Sequence, residues 1–265
     1  MKAGTILIAA AALLPVAAHA GGDEQPICAD RPSKSTGECT VPAGRVQVET
    51  GLVDWTHDHL NGVTSDVTML GSSLIKYGIG DRADLEFGLT PIEFAHWSGA
   101  GVHEHAAGFG DMAVRVKYAL TPDDAPFLVG LDPFVKLPTA NHHLGNGKVE
   151  GGLLVPMSAQ LGKSGLTLSI DPELDWLSDE DGHGHHASMI QVINLGATVT
   201  KQLSVSAELW GQWNWDPQGT GKQRSIDGSV AYLVKNDLQL DAGANFGLNR
   251  DTPDSEFYLG ISKRF

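Results

Sequence analysis

The chain has 265 residues, with 18 Lys and Arg against 32 Asp and Glu, and a formal net charge of −14. That balance disfavours polyanionic partners, so no nucleic acid is expected. Beyond residue 20 no apolar run approaches the roughly 18 residues a spanning helix needs, which excludes a helical membrane span in the remainder.

Residues 1–20 read MKAGTILIAAAALLPVAAHA. One Lys, an apolar run and a closing Ala-His-Ala predict a secretory signal peptide cut after Ala20. A retained anchor would need about 20 apolar residues, and Pro15 with the small-residue ending argues against it. Removal takes away only Lys2 among the charged groups, leaving 17 bases, 32 acids and a net charge of −15.

Residues 21–43 are polar and carry both cysteines, Cys28 and Cys39. An exported chain meets an oxidising compartment, so a disulfide is expected. A metal or redox pair fits less well, because the spacing is not C-x-x-C and no His lies nearby. The segment is expected to be periplasmic or lumen-inserted, pinned by that bridge.

From residue 44 to 265 one unit repeats: an alternating run, then a turn or loop. The runs are 44–55, 66–77, 83–94, 109–120, 127–137, 149–161, 166–177, 187–199, 204–215, 225–234, 238–248 and 256–265. About twelve strands predict an all-β fold, a transmembrane antiparallel up-and-down β-barrel. The connections alternate. Long ones are expected at 56–65, 95–108, 138–148, 178–186, 216–224 and 249–255; tight ones fall between them. Long extracellular loops with short periplasmic turns suit an outer-membrane barrel, whereas a soluble sandwich has no reason to alternate so regularly. All six Trp fall in or near the long connections, while Tyr77, Tyr118, Tyr232, Phe127 and Phe265 fall near the other end. Two aromatic belts are what a bilayer selects.

The closing run SEFYLGISKRF puts Phe257, Leu259, Ile261 and Phe265 on one face. It resembles the C-terminal signal of bacterial outer-membrane barrels. That resemblance implies outer-membrane lipid and the barrel-assembly machinery as partners, and the bacterial outer membrane as location.

Three further stretches carry a family resemblance. They are CADRPSKSTGECTVPAGRVQVETG (28–51), GDRADLEFGL (80–89) and GFGDMAVRVKY (108–118). They resemble the MetA-pathway phenol-degradation, transporter-like family of bacterial outer-membrane proteins. The resemblance implies an outer-membrane barrel that passes small molecules, with no catalytic residues to carry over. The cysteine pair and the His-rich stretches lie outside that pattern.

Alternation assigns the lumen. A charge facing hydrocarbon at mid-membrane costs roughly 2–4 kcal/mol for Arg or Lys, so charged strand residues should face inward. These are Glu49, Asp84, Glu86, Arg115, Lys117, Asp132, Lys136, Asp171, Glu173, Asp175, Glu208, Asp227 and Asp241, with Lys76, Glu150 and Arg264. Acids outnumber bases, which suits a cation-preferring pore. A lumen closed by its own ion pairs is the competing expectation.

Ten histidines follow residue 20: His57, His59, His96, His103, His105, His142, His143, His183, His185 and His186. All but His96 fall into clusters of two or three in the expected long loops. Paired imidazoles there could capture Zn²⁺, Cu²⁺ or Ni²⁺, helped by Asp58, Glu104, Asp179, Glu180 or Asp181. The competing reading is a solvated surface, and no resident cofactor is expected. A channel or transporter for small solutes is therefore expected, with metal capture as a variant. The alternatives are a lipid hydrolase using Ser188 near His185 and His186, and a structural or adhesive barrel. No G-x-S-x-G elbow supports the hydrolase, and the chain is not expected to be an enzyme.

Overall fold

The computed structural model describes residues 25–141 and 143–265. The expected signal peptide and His142 lie outside the described residues. Among those residues the regular structure is all β, in sixteen segments. They are β1 (Val46–Leu60), β2 (Val63–Leu70), β3 (Ser72–Gly80), β4 (Ala83–Leu89), β5 (Ile92–Gly99), β6 (Val102–Gly108), β7 (Met112–Ala119) and β8 (Leu128–Leu137). Then follow β9 (Glu150–Leu154), β10 (Met157–Gln160), β11 (Leu166–Ser178), β12 (His185–Thr198), β13 (Leu203–Asn214), β14 (Gly221–Lys235), β15 (Leu238–Gly247) and β16 (Ser255–Arg264).

All neighbouring pairs are antiparallel, and β1 pairs with β16 (Gln47 opposite Arg264), which closes the sheet. Sixteen segments make twelve staves, because several staves are interrupted without losing register. On β1, Gly51 faces Ser72 of β3 and Asp54 faces Met69 of β2, one continuous pairing across the break at Gly71. Likewise β4 and β5 form one stave, as do β6 with β7 and β9 with β10. The breaks have local causes. Gly71 holds φ +72°, and Pro91 and Pro156 have no amide to give to a ladder.

The first two outer connections differ from the sequence expectation. Residues 56–65 and 95–108 are not long loops. The staves run on through them and turn at Asn61-Gly62 (φ 53° and 79°) and Ala100-Gly101 (φ 50° and 85°). Two successive positive φ values are the two-residue hairpin turn whose twist matches the strands it joins. The alternation fades there because the outer face has left the hydrocarbon and no longer needs apolar side chains, while the hydrogen-bonded ladder continues. The long outer connections are 138–149, 179–184, 215–220 and 248–254.

The two faces meet different media. Leu174, Leu209, Leu259, Ile193 and Ile226 stand exposed on the outer wall. The outer rim carries exposed Trp55, Phe94, Trp176 and Trp215; the opposite rim carries Tyr77, Tyr118, Phe127, Tyr232 and Phe265. The deepest burial belongs to Lys76, Lys117, Gln47, Glu49, Glu86, Asp84, Asp132 and Asp171. A fold that exposes its leucines and buries its lysines is stable only with hydrocarbon outside and polar matter within.

Candidate functional site

The lumen is built by period-two alternation. On β3, β4 and β7 it sets Lys76 opposite Glu86 and Glu86 opposite Arg115, with Asp84 opposite Lys117. Opposite charges directly across a ladder attract, so the wall carries its own charge order. Asp132 on β8 continues it, 3.5 Å from Arg115. Glu49 on the neighbouring β1 is buried 2.7 Å from Lys76, and across the lumen Asp171, Asp175, Glu208, Asp227 and Asp241 are also buried. Arg115, Lys136 and Glu173 are half-buried, and Lys136 reaches Asp111 (2.7 Å) and Glu150 (3.2 Å).

The N-terminal segment occupies this space. Cys28 and Cys39 are bonded, 6.4 Å apart at Cα, and the loop between them is threaded among the wall charges. Asp30 lies 2.5 Å from Lys76 Nζ and 2.7 Å from Lys117 Nζ. Burial pushes the Asp30 carboxyl up, but Lys117 and Lys76 outweigh it and hold the group well below the usual range. Arg31 pairs with Asp241 at 2.9 Å. Lys34 donates to Ser225 (3.2 Å) and stands 4.6 Å over the Trp210 ring. The amides of Lys34 and Ser35 donate to Glu208, that of Thr36 to Asp171, and that of Val41 to Asp84. The wall is cut back to meet the segment. A side chain at Gly260 would strike the Arg31 guanidinium, and one at Gly78 would strike the carbonyls of Val41 and Pro42.

Three cavities adjoin the inserted segment, one of them through Lys34 alone, and two share a longer run of it. One of about 390 Å³ is lined by Ser72, Ser73, Thr90, Asp111 and Arg115. The other, of about 260 Å³, is lined by Thr167, Ser169, Asn194, Ser204, Ser206 and Ser229. Asp30, Arg31, Pro32, Ser33 and Thr36 line both, so this segment is the partition between them. The second cavity is walled by small hydroxyl side chains, not by the crossed charges of β3, β4 and β7.

The histidines do not fall into the clusters their spacing suggested. His185 and His186 are adjacent on β12 and therefore point to opposite faces. His185 stacks outward on Trp176 (5.8 Å), while His186 is buried inward. His183 sits in the loop, its amide on Asp181 (2.8 Å). The trio thus cannot form one site. His143 lies in the 138–149 connection at φ 73°. The first two expected loops behave differently: because they are strands, register joins them. His57 faces Asp66, Asp66 faces His96, and His96 faces His105, while His59 and His103 lie in the adjacent row. This row shares its face with Trp55, which stacks on Phe257, so it looks outward above the aromatic belt. His57 Nδ1 lies 2.8 Å from Asp66.

The inward histidine meets carboxylates from two loops. His186 Nδ1 lies 2.9 Å from Asp179 and 3.5 Å from Asp216. The backbone amide of Gln218, with that of Glu180 and the His186 ring, holds the Asp216 carboxyl below the usual range against a weaker push from burial. Sequence spacing named His186 and Asp179 but not Asp216, which lies 30 residues on. Ser188 is fully buried and takes a hydrogen bond from Gln212 (3.0 Å), while His186 Nδ1 is committed to aspartates. Nucleophile and base are therefore not set against each other.

Residues 29–265 match the family described as "Putative MetA-pathway of phenol degradation". The fold resembles the COG4313 outer membrane channel from Pseudomonas putida F1 (TM-score 0.71, 18% identity, 88% of this chain and 100% of that one). It also resembles the NanC porin (0.51, 12%, 82% and 98%) and the β domain of the Bordetella autotransporter BrkA (0.51, 12%, 84% and 100%). No curated protein matches the sequence. The fold is that of outer-membrane channels and porins, and the bacterial outer membrane is its location.

Proposed function

This chain belongs to the MetA-pathway phenol-degradation family, and on that premise we propose that it passes small solutes across the outer membrane, with residues 28–41 as the constriction. The partition between the two cavities carries this reading. A barrel meant only to be closed could fill its lumen from its own wall. Here the wall leaves two hollows, and a separate segment divides them. The route we favour runs along the hydroxyl-lined side, past Ser33, Ser206 and Ser229. The wall there is small and uncharged, whereas the cavity on the other side, though larger, is bounded by the charges of Glu49, Asp111 and Arg115.

The excess of acids supports a preference for cations. Asp171, Glu208, Asp227 and Asp241 line the lumen on β11, β13, β14 and β15, and the segment brings only Arg31 and Lys34 against them. The outward histidine row on β1, β2, β5 and β6 supports weak capture of Zn²⁺, Cu²⁺ or Ni²⁺ near the entrance. Planar-bilayer recording of the refolded chain tests the main reading. Discrete conductance with a cation-shifted reversal potential is the expected result. Electrical silence with intact barrels would reject passage and leave a structural or adhesive role.

A further inference from the structure

We propose that Asp179, His186 and Asp216 form a binding site for one divalent transition-metal ion, Zn²⁺ by chemical preference, at the extracellular mouth of the lumen. Three observations carry this.

The first is geometry. The Nδ1 atom of His186 and one oxygen of each aspartate lie within 4.8 Å of one another. The two edges from nitrogen to oxygen are 2.9 and 3.5 Å. A tetrahedral ion with bonds of about 2.0–2.1 Å has ligand-to-ligand edges of about 3.3 Å. These two edges bracket that value and the third, between the carboxylates, is at most 4.8 Å, so an ion could replace the Nδ1 proton with a modest shift of the aspartates.

The second is charge. Both carboxylates converge on one ring nitrogen, which carries at most one proton to share. Among the described residues, His186 is the ion-pair partner of each. Lys148, the nearby cation, reaches the Gly182 carbonyl at 3.3 Å instead. A neutral imidazole leaves two negative charges there, which a divalent ion cancels.

The third is preorganisation. His186 is only 7% exposed. Asp216 is held by the amides of Gln218 (2.7 Å) and Glu180 (2.9 Å). Gln218 also donates to Asp181 (3.2 Å), which ties the 179–184 connection to the 215–220 connection. A carboxylate fixed by outer hydrogen bonds, as Asp216 is, is what a metal ligand requires.

One imidazole with two carboxylates suits Zn²⁺, Cu²⁺ or Ni²⁺ better than Ca²⁺ or Mg²⁺, which want about six oxygens. Three protein ligands leave a fourth position for water or a solute donor. The bound ion would brace two outer connections where solutes enter. This site differs from the outward histidine row and stands whether or not the barrel conducts.

The test is zinc titration of the refolded chain in detergent, in competition with a chromophoric chelator. Wild type should bind a tight equivalent. His186→Ala, or Asp179→Asn with Asp216→Asn, should weaken it roughly tenfold or more. His183→Ala with His185→Ala should leave it unchanged. Should His186→Ala fail to refold, Asp216→Asn in its loop is judged by the same criterion. The proposal is overturned if wild type does not compete with the chelator, since His186 is then a plain ion-pair partner. It is overturned equally if His186→Ala, or Asp216→Asn in its place, binds as wild type, since zinc then sits on the outer histidines.

Discussion

Asp30 stands between two lysines from different staves, its carboxylate 2.5 Å from Lys76 on β3 and 2.7 Å from Lys117 on β7. Neither lysine has solvent to turn to: their side chains are 1% and 0% exposed. The inserted segment is therefore anchored to the wall through a buried ion pair with each lysine. Breaking a buried pair by removing one partner costs about 3–5 kcal/mol. Glu49 remains near Lys76 and Glu86 near both lysines, so Asp30→Asn should cost toward the lower end. Conductance in planar bilayers should rise, and trypsin should cut after Lys34 in intact barrels. Unchanged conductance together with full protection would show that the segment is held elsewhere.

The disulfide should matter to the segment and not to the wall. It closes a loop with a sequence separation of 11, worth about 3 kcal/mol on the chain-entropy account. No stave pairing uses Cys28 or Cys39. Cys28→Ser should leave β circular dichroism and heat-modified gel mobility as in wild type while the segment gains protease sensitivity. Loss of the barrel itself would contradict this division.

Acid should loosen the segment only at low pH. The Asp30 carboxyl is lowered from 3.8 by Lys117 and Lys76, which outweigh the upward push of burial. A group lowered on docking contributes stability that is whole above its free value. That contribution is lost as pH falls from about 3.8 toward the lower docked value. Glu49 faces Lys76 and Glu86 faces both lysines, and Glu38, raised by burial, opposes the trend because its protonation favours the docked state. Protease protection of residues 28–41 should therefore hold at pH 5 and fade below about pH 4. Fading near neutrality would point to a different group.

The turn at Asn61-Gly62 gives a stability test outside the membrane. Gly62 holds φ +79°, and a methyl group there would meet only Ala100 at 3.8 Å, an ordinary contact. The cost of Gly62→Ala is thus backbone strain, about 1–2 kcal/mol. Hydrogen exchange should quicken in β2 and in the outer end of β1, and stay as in wild type at β12 to β14. Uniform quickening would mean that the extension is not a local unit.

Much of the barrel could be read from the chain because its physics is local. In β16, Phe257, Leu259 and Ile261 alternate with Tyr258, Gly260 and Ser262, and each side chain reports the medium it meets. The same rule gave Glu86 and Lys117 an inward direction before any contact was known. It failed at residues 56–65 and 95–108. Above the hydrocarbon both faces meet water, so His57 and Asp66 carry no mark of being paired strand residues.

The sequence alone determined the two-sided alternation, the closing aromatic strand and the presence of a cysteine pair beside a polar segment. Only the tertiary structure decided that this segment lies across the lumen with Asp30 on Lys76 and Lys117. It alone brought Asp216 to His186 from another connection and parted His185 from its neighbour. The reason is range. Alternation is a property of adjacent residues in a fixed medium, whereas these contacts depend on where closing the sheet places staves far apart in the chain.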